Sequence, residues 1–300
     1  MFSFTKNQKI IQIGNIRLGG QPGNLPTVLM GGLFFSGVPD FAIAKKAIED
    51  MYTVSEKTGN PAIADFFIKK NNYIDDILAF ISSTIPNESP FSIDVTDPEV
   101  KINVLKKLDE QDLLKRTIYN SIHVGLTDDE IVALQNHCPQ AAILVAFNPK
   151  DTSPDGKIEV LETGAHVTPK GLLRVAEECN IPHLLIDTAA LAPGQNSGAS
   201  IAALPVIKEE YGLPAGCSIH NVVEKSTWLN QFPNEKRIVD CASNININLF
   251  GGDFAIFGSI KHAKTVFPII SWQDILISEY TEHYFGITPD EKHPRRILFQ

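Results

Sequence analysis

Eight times along this chain of 300 residues, a short apolar run bounded by turn residues is followed by a stretch with helical spacing. A parallel neighbour can be reached only through a crossover connection, so this alternation implies a parallel sheet covered by helices. The runs lie at Thr27–Gly31, Ala62–Phe67, Phe91–Asp94, Thr117–Asn120, Ala142–Phe147, Leu184–Asp187, Ala215–Ile219 and Phe254–Phe257. Eight units favour a closed (β/α)8 barrel, a TIM barrel, over an open doubly wound sheet with its Gly-rich first turn. Here the first strand lacks GxGxxG, and the cluster Gly19-Gly20-Gln21-Pro22-Gly23 precedes a strand where a dinucleotide fingerprint would follow one.

Helix starts are marked by Asp97-Pro98-Glu99, by Thr127-Asp128-Asp129-Glu130 and by Thr168-Pro169 before GLLRVAEEC. Ahead of the barrel, KIIQIGNIRLGG alternates apolar and polar residues around Gly14-Asn15, the pattern of an antiparallel hairpin that could plug one barrel end. The expected organisation is one domain over 1–300. Residues 1–24 supply the hairpin and its loop, 225–249 an insertion after strand seven, and 288–300 an arm that docks on a neighbouring subunit.

Several function classes are excluded. The basic residues, 26 against 35 acidic, form no run or stripe, which argues against nucleic acid. No window has the roughly 18 apolar residues of a membrane span, and MFSFTKNQKI lacks the order of a secretion signal, so cytoplasm is the expected compartment. Cys138, Cys179, Cys217 and Cys241 form no CxxC pair, and no metal site is expected.

The polar residues that flank the strands carry the candidate chemistry, because barrel sites form at the carboxyl ends of strands. They are Asp94, Asn120, Asn148, Asp187, His220 with Asn221, and Asp253, which enters strand eight. A Schiff-base lysine and a convergent His/carboxylate metal set are both missing from this series. Asp and Asn together suit a ligand edge of alternating donors and acceptors, such as that of a pterin. Each also has a competing role as a cap, since Asx side chains commonly bind backbone N–H groups before a turn or helix. His220 is a secondary candidate beside Asn221, and Lys150 in FNPKD is another.

From Gly19 to Pro268 the chain resembles the family of the H subunit of tetrahydromethanopterin S-methyltransferase, which includes bacterial methylcorrinoid:tetrahydrofolate methyltransferases of methylamine and glycine betaine metabolism. The resemblance is carried by GGQPGNLPTVLMGGLFF, SEKTGNPAIADFF, FSIDVTDPEV, RTIYNSI, LVAFNPKD, LLIDTAAL, GLPAGCSIHNV and NLFGGDFAIFGSIKHAKTVFP. It implies a barrel of the pterin-binding type, in which Asp94, Asn120 and Asp187 hold the pterin and Asn221 reaches its N5. Asn148, Asp253 and Lys150 would line the pocket. Dihydropteroate synthase, a more distant pterin barrel, has a lysine near the end of strand seven, where this chain has Ser218-Ile219-His220-Asn221. That departure favours methyl transfer over condensation.

The reaction that the resemblance implies is transfer of a methyl group from a methylcorrinoid to N5 of tetrahydrofolate, leaving cob(I)amide, with Asn221 and Asp187 as the catalytic residues. The corrinoid, as methylcobalamin or a relative, would arrive on a separate protein docking on the carboxyl face of the barrel, since His123, His137 and His166 lack a corrinoid-ligand motif of their own. Homodimers are usual among similar barrels. The alternative is a tetrahydromethanopterin-binding H-type subunit, active only within a larger membrane complex.

Overall fold

In the computed structural model, which describes residues 2–35 and 37–299, all eight expected strands are present and close on themselves. Met1 and Gln300, the outer ends of the expected hairpin segment and arm, lie outside the described residues. A hairpin of β1 (Ile10–Ile13) and β2 (Ile16–Gly19) precedes the barrel. The barrel strands are β3 (Val28–Phe35), β4 (Ala62–Ile68), β5 (Phe91–Asp94), β6 (Thr117–Ile122), β7 (Ala141–Val145), β8 (His183–Asp187), β9 (Ala215–Cys217) and β10 (Phe254–Ser259). Each pairs in parallel with the next, and β10 pairs with both β9 and β3 to complete the ring.

Strand periodicity sorts the side chains into two cores. One face of each strand packs outward against the helices, with Leu29, Ala64, Phe66, Phe91, Tyr119 and Leu144 in the larger apolar cluster. The other face fills the barrel: Met30, Ile63, Ile118, Ile143, Leu185 and Phe254 form a second cluster together with Ile11, Ile13, Ile16 and Leu18 of the hairpin. The hairpin is therefore a plug, and backbone bonds fix which end it closes. Asn15 N–H donates to Glu88 O and Lys9 N–H to Gly212 O, both a few residues before a strand begins, at the amino-terminal end of the barrel. Gly14 has φ +55, and a Cβ there would lie 2.2 Å from Glu88 O, so the turn needs glycine to come this close.

Helix starts follow the capping chemistry at two of the three expected places. Asp97 accepts from Glu99 N and Val100 N, and Thr127 and Glu130 form a capping box. The third differs. The helix Leu172–Glu178 begins after Gly171, and the Thr168 hydroxyl is spent on Lys170 O. The expected insertion contains a 3₁₀ turn at Leu229–Gln231 and helices Pro233–Ser243 and Ile245–Leu249. The carboxyl-terminal arm contacts its own chain. Its short helix, Pro294–Leu298, packs on the long helix Ala263–Phe285 of its own chain, with Arg295 bonded to Glu282 at 2.6 Å and His293 fully buried. Asp290 pairs with Arg17 of the hairpin at 2.7 Å.

Candidate functional site

The carboxyl end of the barrel, opposite the plug, is where polar side chains replace the apolar filling. Asp94 and Asn120 are register partners on β5 and β6, and Asp187 ends β8. These three stand on the inward parity of their strands, above the layer of Ile118, Ile143 and Leu185. Beside them is Asp65 on β4, whose register partner is Ser92. Asp65 was not among the residues singled out from the sequence, although a carboxylate at the inward parity of the run AIADFF was the available signal.

The polar groups here are conspicuously short of partners. Asp65 Oδ1 and Ser92 Oγ are buried without a hydrogen bond, and Asp65 is only 5% exposed. Among the described residues, the Asp187 carboxylate receives one hydrogen bond, from Ala189 N–H at 2.8 Å. Burial therefore sets the protonation behaviour. It raises the Asp65 carboxyl above the ordinary range and raises Asp187 to about 6, Ala189 N–H and the Lys157 charge offsetting part of the effect. Asp94 is pushed up to about 7, by burial first and then by the neighbouring charge of Asp65, with Lys101 working against both.

Two buried lysines stand behind this acidic cluster. Lys101, from the helix Pro98–Glu110, pairs with Glu130 at 3.2 Å and donates to Ser121 O at 3.3 Å. Lys157, from the helix Pro154–Glu162, is fully buried and forms no ion pair among the described residues; its Nζ donates only to Ala146 O, at 3.4 Å. The same Ala146 donates its N–H to Asp187 O at 2.8 Å, which ties the lysine to the strand end that carries Asp187. Burial lowers the Lys157 ammonium, and the Asp187 charge is the largest influence opposing it.

The other expected residues are placed differently. Asn148 is fully buried and acts as a turn cap: Oδ1 accepts from Lys150 N and Asp151 N, while Nδ2 donates to Gly156 O. Lys150 braces a loop, its Nζ donating to Ala165 O and His166 O. Asp253 is at the wrong end of the barrel. It precedes β10, so it lies at the plugged end, where it pairs with Lys208 at 2.6 Å and accepts from Ala215 N. A residue that enters a strand sits at the end away from one that terminates it, and this polarity excludes Asp253 from the mouth. Asn221 is exposed on the short helix His220–Glu224, just beyond β9, and its amide is not engaged among the described residues. His220 faces Asp240 of the helix Pro233–Ser243, with Nδ1 2.9 Å from Oδ1.

Fold and site define a (β/α)8 barrel with a buried, carboxylate-lined site at its carboxyl end. Its architecture is shared with dihydropteroate synthases: that of Yersinia pestis gives a TM-score of 0.58 at 12% identity, covering 92% of this chain and 99% of the other. The enzyme from Coxiella burnetii gives 0.55 at 15%, covering 83% and 94%. These likenesses concern the fold.

The family model described as tetrahydromethanopterin S-methyltransferase MtrH subunit matches residues 6–289. The H subunit of that enzyme from Methanothermobacter thermautotrophicus is 35% identical over 308 residues, covering 98% of each chain. The H subunit of the putative methyltransferase mtx of Methanosarcina acetivorans is 34% identical, covering 99% of this chain and 100% of its own. The chain belongs to the MtrH family of methyltransferase subunits.

This membership corrects the expectation of a tetrahydrofolate enzyme of glycine betaine metabolism. The relatives carry the name of a tetrahydromethanopterin-linked enzyme and of its H subunit, which agrees with the alternative reading. Among the described residues, no helix is long and apolar enough to cross a membrane.

Proposed function

We propose that this chain is the pterin-handling subunit of a larger methyltransferase assembly. It would bind a tetrahydropterin of the tetrahydromethanopterin type in the barrel mouth and present the pterin N5 to a corrinoid carried by a partner protein. The observation that carries this reading is the cluster of Asp65, Asp94, Asn120 and Asp187, buried or half-buried at one end of the barrel, in which Asp65 Oδ1 lacks a well-formed hydrogen bond and the Asp187 carboxylate accepts one, from Ala189 N–H. A folded chain leaves such groups unpaired at a cost of about 1–3 kcal/mol each, and a polar heterocycle that supplies the missing partners recovers it.

The chemistry of the residues fits that ligand. A pterin edge offers an amino group and ring N–H groups as donors and a carbonyl as acceptor; carboxylates take the first kind, and an amide serves both. Asp187 and Asn120 bind the edge in this reading. Asp94 and Asp65, both raised above the ordinary carboxyl range, add a donor when protonated. Methyl exchange at N5 breaks one bond to the methyl carbon and forms another, and N5 gains or loses a proton according to direction. The protein's task is to hold the partners in line and to steady N5, and the unengaged amide of Asn221 at the rim suits the second part.

The test is direct titration of the purified chain with tetrahydromethanopterin and, separately, with tetrahydrofolate, followed by calorimetry. Saturable binding of the first, with the second at least tenfold weaker, is expected. Failure of both to bind overturns the proposal.

A further inference from the structure

A second cluster of side chains lies beside the mouth, between the short helix His220–Glu224 and the helix Pro233–Ser243. His220, Glu224 and Asp240 each offer one nitrogen or oxygen, and these atoms all lie within 4.8 Å of one another. We infer that this cluster is a binding site for one first-row divalent cation, of which zinc is the best match, and that the ion locks the helix that carries Asn221.

Four observations bear on it. His220 and Glu224 are four residues apart on one helix, the spacing that puts two ligands on the same face. Asp240 is almost fully buried, with both carboxylate oxygens facing imidazoles: His220 Nδ1 at 2.9 and 3.0 Å, and His262 Nδ1 at 3.4 Å. Ligands held at about 2.0–2.2 Å around a tetrahedral ion are separated by roughly 3.3 Å, so closing on a cation needs only small shifts of these side chains. His262 Nδ1 is buried and makes no well-formed hydrogen bond, with Asp240 Oδ2 3.4 Å away, which brings a second imidazole nitrogen to the cluster.

The backbone has also been cleared for the imidazole. Gly258, at the end of β10, has φ +79, and a Cβ there would come within 2.4 Å of the His220 ring. The ring is held flat on that glycine, with Nδ1 fixed toward Asp240. Imidazole nitrogens with carboxylate oxygens, and no sulfur or oxygen cage, form a donor set for zinc or a neighbouring transition metal, where calcium and magnesium require oxygens alone. Glu224 is the exposed ligand, reached by Lys236 Nζ at 3.7 Å, and an arriving cation would take the place of that ammonium. With the ion bound, the His220–Glu224 helix is tied to its neighbour at both ends, and the intervening Asn221 is held at the rim.

The rival is an Asp240–His220 ion pair that needs no metal, and metal stoichiometry separates the two. Chelator-stripped protein is titrated with zinc against a chromogenic competitor, with elemental analysis after desalting and Co²⁺ substitution read by its visible absorption bands. About one equivalent per chain is expected, held tightly enough to survive desalting, together with a rise in melting temperature on adding zinc. His220→Gln and Asp240→Asn should abolish tight binding. The exposed Glu224→Gln, which leaves the core intact, should weaken it at least tenfold. Sub-stoichiometric binding, or affinity unchanged in Glu224→Gln and His220→Gln alike, overturns the inference. The readout requires no pterin, so its failure is separable from failure of the proposed function.

Discussion

Asp65 and Asp94 stand diagonally across the β4–β5 ladder, Asp94 two residues beyond Ser92, the register partner of Asp65, so both carboxyls lie on the inward face of the barrel. Burial is the main cause that pushes Asp94 up to about 7, with the neighbouring charge of Asp65 adding to it, and burial raises Asp65 as well. In the unfolded chain both titrate near 3.9. Between those limits the native state binds more protons, so this contribution to stability is present below about pH 4 and is lost as pH rises toward 7. Asp94→Asn should flatten that slope and, at pH 8, raise stability by about 1–3 kcal/mol, at the expense of ligand binding. Urea unfolding at pH 5 and pH 8 measures it. A variant less stable than the parent at pH 8 would remove the electrostatic account.

Asp187 and Asn221 should fail in different ways. Asp187 is buried with one hydrogen bond from its own chain, so its truncation strips a paired ligand contact; Asp187→Ala is expected to weaken tetrahydromethanopterin binding by about 10- to 100-fold. Asn221 is exposed at the rim, and Asn221→Ala should leave affinity within a few fold while slowing methyl transfer to a corrinoid partner. Titration and single-turnover rates on the two variants distinguish the roles, and the opposite pattern would exchange them.

The barrel was legible from the sequence because its signal is repeated. Each strand reads as an apolar run between turn residues, and Phe91–Asp94 has identical bounds in the sequence reading and in the structure. The hairpin plug was equally plain, its alternation matching the buried positions Ile11, Ile13, Ile16 and Leu18. What the sequence concealed was direction. Asn148 and Asp187 look alike as Asx residues after apolar runs, yet one caps a turn with all its bonds made and the other stands on the inward parity of its strand with a single bond to its carboxylate, because parity at a strand end changes with a single residue. Asp65 escaped notice for the converse reason, being embedded in a run whose neighbours are apolar. Lys101 and Lys157 lie on helices, and their burial depends on tertiary packing that no local pattern reports.

Lys157 offers a further test of the electrostatics at the mouth. Its buried ammonium, with a single 3.4 Å acceptor, is the cation that opposes the rise of Asp187, while the burial of Cys217 beside it supplies no positive charge. Lys157→Met removes the cation with little change of volume. The Asp187 carboxyl, near 6 in the parent, should then move upward, and the pH at which pterin binding reaches half its maximum should rise by about one unit. Fold stability should hold or improve, because an ammonium without an ion pair is expensive to bury. Binding measured from pH 5 to 8 decides it, and an unshifted profile would show that Lys157 serves packing alone.

Asp253 supplies the control at the opposite end of the barrel. Its carboxylate pairs with Lys208 at 2.6 Å and accepts from Ala215 N at 2.8 Å, while Lys208 also donates to Gly20 O at 2.9 Å, so the pair joins the hairpin loop to β9 and β10. Both side chains are nearly inaccessible to water. Asp253→Ala leaves the lysine charge buried without a counter-ion, a change that commonly costs about 3–5 kcal/mol. Replacing both, as Asp253→Ala with Lys208→Met, removes the stranded charge and should recover much of that loss. Neither variant touches Asp94, Asn120 or Asp187, so the fraction that remains folded should bind tetrahydromethanopterin with parental affinity. Unfolding curves and calorimetry on the same samples check both halves. A selective loss of affinity in a fully folded Asp253→Ala protein would place this residue in the binding site after all.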